Sequence, residues 1–93
     1  MKQWRVTPGF EIVEIYGEYY LAAGKAARKK FPAIQYLNEI GAIIWKGLAA
    51  GTKPEKIAAS ITETYEIGYE QAMSDVDAFC SDLCKKGYLI SSV

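Results

Sequence analysis

The chain has 93 residues, with 11 lysines and arginines against 11 aspartates and glutamates, no histidine and two cysteines. That length holds one modest core and no second lobe to close over a substrate, so a self-contained enzyme is not expected. Zero net charge argues against non-specific nucleic-acid binding, where neutralised phosphates supply the affinity.

Charge is nonetheless unevenly spread, with six basic and three acidic residues up to Tyr36 and five basic and eight acidic beyond it. The opening "MKQWRVTPGF" lacks the apolar run of a signal peptide. No stretch approaches the roughly 18 apolar residues of a membrane span. The expectation is a soluble, cytoplasmic protein forming a single domain over residues 1–93, ordered from about 10 to 90, with Trp4 folding back from a loose terminus.

In chain order, Phe10 to Ile15 ("FEIVEI") alternates with period two and predicts a half-exposed strand. "YGEY" is a turn in which Gly17 is free to take positive φ. Tyr19 to Gly24 returns as the second strand of an antiparallel hairpin. The basic "KAARKKFP" (Lys25 to Pro32) reads as a loop, and Ala33 to Leu37 is the third strand.

Three helices follow. Asn38 is a good N-cap for an apolar helix ended by Gly51, with Trp45 in the core. "TKPE" (Thr52 to Glu55) matches a capping box at the start of a second helix, on which Ile57, Ala58, Ile61 and Tyr65 form one apolar face. The third runs from about Tyr69 to Lys86 and is closed by Gly87, after which "YLI" packs back on the bundle. The fold class is α+β: a winged-helix-like domain with a three-stranded antiparallel sheet followed by a three-helix bundle.

On the third helix Tyr69, Ala72, Met73, Val76, Phe79, Cys80, Leu83 and Cys84 fill an arc of roughly 140°, wider than one buried face needs. The whole arc packing inward fits this pattern. So does a division in which Val76, Phe79 and Leu83 anchor the core while Met73, Cys80 and Cys84 line a shallow groove edged by Asp77. Cys80 and Cys84, without histidine or further cysteines, do not complete a metal site. The aspartates on this helix would be repelled by DNA phosphates, so a winged-helix DNA-binding regulator is only the alternative reading. The third strand, near Phe31 to Tyr36, presents an edge that a peptide could extend.

"LNEIGAIIW", then "GT" and Ile57, then "DVDAFCSDLCKKGYL" together resemble the PqqD family, named for pyrroloquinoline quinone synthesis protein D, over Phe10 to Ile90. The resemblance implies a domain that recognises the leader of a ribosomally made precursor peptide. The leader adds as a strand beside the third strand, packs on the third helix and is presented to a modifying enzyme, often a radical S-adenosylmethionine protein. On this reading the peptide-binding residues are Phe31, Ala33, Ile34, Gln35 and Tyr36 on the strand and Met73, Asp77, Cys80 and Cys84 on the helix, the helix set coming from the projection. No cofactor, metal, membrane or nucleic acid is expected. The basic "KAARKKFP" departs from the family's usual short turn and suits an acidic leader or a docking patch for the enzyme.

Overall fold

A computed structural model describes residues 3–23 and 35–92. In chain order they form strands β1 (Gln3–Val6), β2 (Phe10–Ile15), β3 (Glu18–Ala23) and β4 (Gln35–Leu37). Helices α1 (Glu39–Ala49), α2 (Pro54–Thr64) and α3 (Tyr69–Lys85) and strand β5 (Leu89–Ser92) complete the order. The expected three-stranded antiparallel sheet is present, in the order β2-β3-β4, and the three helices follow it.

The hairpin β2–β3 turns on two residues, Tyr16 at φ 52° and Gly17 at φ 79°. Positive φ at both central positions is what a type I′ turn requires, and its twist matches that of the flanking strands. Glycine at the second position is the expected choice. Tyrosine at the first is not.

In β3 and β4 the pairs Tyr19–Leu37, Tyr20–Tyr36 and Leu21–Gln35 stand opposite one another. Leu21 and Leu37 point into the core, so Tyr20 and Tyr36 share the outer face, where their rings meet edge-on at 5.7 Å. Ala33 and Ile34, expected to begin this strand, lie outside the described residues, as do Phe31, Gly24 and the basic segment.

α1 starts where expected: Asn38 Oδ1 accepts the Gly41 amide at 2.7 Å. It ends in a Schellman motif, with Gly51 at φ 84° and the amides of Gly51 and Thr52 donating to the carbonyls of Leu48 and Gly47 at 3.0 and 2.8 Å. This overturns the expected capping box. Thr52's amide is already taken by α1, α2 is capped by Lys53 without a side-chain hydrogen bond, and Pro54 opens the helix. α3 closes on a second Schellman motif through Gly87 at φ 91°, in which Tyr88 donates to Leu83 at 2.9 Å.

β1 and β5 form a separate two-stranded antiparallel sheet, pairing Val6 with Leu89 and Trp4 with Ser91. Thr7 fastens the junction: its amide donates to Tyr88 and its hydroxyl to the Gly87 carbonyl at 2.8 Å. Trp4 is therefore held in a strand and packs on the core, and the returning "YLI" has a strand partner as well as the bundle. One core joins all layers. Leu21 and Leu37 from the sheet meet Ile44, Trp45 and Leu48 of α1, Ile57 and Ile61 of α2 and Val76, Cys80 and Leu83 of α3.

Candidate functional site

β4 is an outer strand of its sheet: β3 pairs with one side, and no strand among the described residues pairs with the other. It is only three residues long, and its backbone is partly tended by its own side chain, since Gln35 Nε2 donates to the Tyr36 carbonyl at 3.0 Å. A short edge of this kind resists indiscriminate pairing yet leaves backbone groups available to a chosen partner.

The chain leaves β4 through Asn38 straight into α1, and beside this junction α1 and α3 enclose a groove of about 270 Å³. Asn38, Ile40, Gly41, Ile44, Asp75, Ala78 and Phe79 line it. Its shape depends on Gly41. A Cβ there would lie 2.8 Å from Phe79 Cε2 and 3.0 Å from the capping Asn38 Oδ1, so glycine is what lets the Phe79 ring lie against α1. Asp75 at the groove wall is steadied by Gln71, whose Nε2 donates to Oδ1 at 2.8 Å.

The structure distributes the expected site residues over three places. Gln35 and Tyr36 are on the free edge, with Tyr36 half exposed. Cys80 is fully buried, a member of the core with no surface to offer a ligand. Burial, with smaller contributions from Asp77 and Cys84, pushes its thiol from the ordinary 9.0 up to about 12, so it stays protonated at neutral pH. Met73 and Cys84 are half-buried and Asp77 is exposed. At about 100° per residue these three lie on the side of α3 roughly opposite Asp75, Ala78 and Phe79. Met73, Asp77, Cys80 and Cys84 are thus not among the residues that line the α1–α3 groove, whereas Phe79, expected in the core, is one of its walls.

The signal for this groove in the sequence is Gly41. A glycine inside an otherwise apolar helix marks a close approach, and the close approach here is by Phe79. Among the described residues no cluster of histidine, cysteine or acidic side chains could hold a metal ion, and no helix is long and apolar enough to cross a membrane.

At the C-terminal end of α2, Tyr65 Oη is buried without a hydrogen-bond partner among the described residues. Burial first, then the nearby Glu39 carboxylate, raises its pKa above that of an ordinary phenol. Lys46 lies over the Tyr19 ring, 4.9 Å from its centroid.

A three-stranded sheet whose β4 side is unpaired among the described residues, three helices and a groove at their junction make a small winged-helix-like α+β domain. Residues 33–89 match the family model described as coenzyme PQQ synthesis protein D, and the chain belongs to the PqqD family. Two solved structures share its fold. A lasso peptide synthetase B1 complexed with its leader peptide superposes with a TM-score of 0.77 at 23% identity, over 95% of this chain and 98% of that one. TbiB1 in complex with the TbiA(beta) leader peptide gives 0.75 at 22% identity, over 91% and 93%. No curated protein matches the chain by sequence.

Proposed function

We propose that the protein is a non-catalytic module that captures the leader of a ribosomally made precursor peptide by strand addition and presents it to a modifying enzyme, such as a radical S-adenosylmethionine protein. The observation that carries the reading is the free edge of β4 opening directly onto the α1–α3 groove. An added strand takes its backbone hydrogen bonds from the edge at Gln35 and Tyr36, and Phe31, Ala33 and Ile34, outside the described residues, are further proposed contacts. Its alternate apolar side chains enter the groove against Ile40, Ile44 and Phe79. On this reading Met73, Asp77 and Cys84 lie outside the main contact, and Cys80 supports it from the core.

Membership of the PqqD family supports this assignment, as does the presence of a leader peptide on both structural relatives. Tethering the substrate raises its effective concentration at the enzyme without chemistry in this chain. The DNA-binding alternative gains nothing from the fold, because the exposed surface of α3 carries Glu70, Asp77 and Asp82.

The test is an amide-resolved NMR titration of the labelled chain with the leader of the precursor encoded beside its gene. Expected are shifts at Gln35 to Ile44 and at Asp75 to Phe79, with a Kd near micromolar, about −8 kcal/mol. Shifts confined to β1 and β5, or none with a folded protein, would exclude capture at this edge.

A further inference from the structure

β3 begins before the ladder with β4 does. Tyr19 stands opposite Leu37, but Glu18, paired with Ile15 on the β2 side, has no residue of β4 across from it, because the chain leaves the sheet at Asn38 to enter α1. The resulting step, between the hairpin turn and the first turn of α1, is a cavity of about 330 Å³ lined by Gly17, Glu18, Tyr19, Tyr36, Leu37 and Glu39. Glu18, Glu39 and Tyr36 thus border one opening where the β4 edge ends.

Their other contacts leave them suited to a guest. Among the described residues the sole ion pair is Lys86 with Asp82, at 3.1 Å, so neither Glu18 nor Glu39 has a cationic partner. The Tyr36 ring is half exposed and braced edge-on by Tyr20. Lys46 lies over the ring of Tyr19 and makes no ion pair with either carboxylate. The Tyr36 face and the charge of both carboxylates remain, since the Tyr65 hydroxyl beside Glu39 is neutral.

We propose that this step is a subsite for one lysine or arginine side chain of the captured peptide, an inference that rests on the strand-addition reading above. A strand laid along β4 and continuing past Leu37 carries its next side chains over the step. A basic side chain covers the Tyr36 ring with its stem and sets its charged head between Glu18 and Glu39. An apolar side chain at the same position would desolvate both carboxylates without pairing them, and an acidic one would be repelled, so the pocket selects by exclusion as well as attraction. This subsite calls for a basic residue at that position, whatever acidic residues the segment Lys25 to Lys30 meets elsewhere on the leader.

The experiment is selection of a phage-displayed library of random peptides, about twelve residues long so as to exceed a typical strand, on the immobilised full chain. The same selection is run on a Glu18→Gln, Glu39→Gln double variant whose thermal midpoint shows it folded. Expected are apolar positions at alternate spacing plus one position rich in lysine or arginine, with only the basic preference lost on the double variant. In the best synthetic peptide, replacing that lysine by norleucine should weaken binding about tenfold, and exchanging it for glutamate should be rescued by Glu18→Lys. Selected peptides with no basic position, or with one that survives in the double variant, would overturn the subsite and leave strand capture standing. Failure to select any peptide that binds would overturn the capture reading and the subsite with it.

Discussion

Cys80 is the residue whose environment most constrains experiment. With no exposed surface and a thiol pushed up to about 12, it stays protonated in the folded chain while an unfolded chain ionises it near 9.0. Between those two values the unfolded state holds fewer protons, so stability is full below about pH 9 and falls as pH rises through the window. Urea titrations of the parent and of Cys80→Ala from neutral to alkaline pH should show the parent losing stability more steeply. Comparison with that variant separates the thiol from Tyr65, whose raised phenol acts in the same direction. A thiol reagent should modify one cysteine, the half-buried Cys84, in the native protein and both after denaturation. Equal alkaline slopes, or two fast-reacting thiols, would place Cys80 at the surface. Glutamate at position 80 is therefore a substitution in the core, expected to unfold the chain by burying a charge; a groove residue would have tolerated it.

Element boundaries were legible wherever the stopping signal is local. Asn38 caps α1 and Gly51 and Gly87 end two helices as their side chains, or lack of them, dictate. "TKPE" misled because two local rules claim the same amide, and the Schellman closure of α1 prevails over the capping box of α2 at Thr52. Two substitutions separate the cases. Asn38→Ala should cost about 1 kcal/mol and lower the thermal midpoint by about 4–8 °C in a domain of this size. Thr52→Ala should stay within about 0.5 kcal/mol, as surface changes away from special features do. Calorimetry on both variants decides it, and equal losses would mean that the capping box forms in solution. The apolar arc of α3 poses a different problem. Its centre line, Ala72, Val76, Cys80 and Leu83, is buried as amphipathicity requires, but periodicity cannot say which flank faces α1 and which faces away. Only packing against Gly41 assigns Phe79 and Asp75 to the groove.

At the scale of the whole molecule, what the sequence concealed is the pairing of its two ends. β1 and β5 are each four residues long: Gln3–Val6 alternates, but over too short a run to announce a strand, and Leu89–Ser92 does not alternate. Their partnership spans some eighty positions, as the bond from Thr7 to Gly87 shows, and no local pattern encodes such a separation. The pair closes the core beneath α1 and α3: Trp4 and Val6 pack on it from one strand and Leu89 is buried within it from the other. Removing residues 1–6 should strip Leu89 of its cover and β5 of its ladder. Even allowing for the partial exposure of Trp4, the lost apolar contacts amount to about 3 kcal/mol, a large share of the roughly 5–14 kcal/mol available to a chain of this length. The thermal midpoint should fall by more than about 10 °C. The β4 edge and the α1–α3 groove are built without β1, so at low temperature, where the shortened chain is still folded, it should bind a leader peptide with the affinity of the parent. An unchanged midpoint would mean that β1 is not paired in solution; a stable truncated fold that no longer binds would mean that the terminal sheet, rather than β4, carries the peptide.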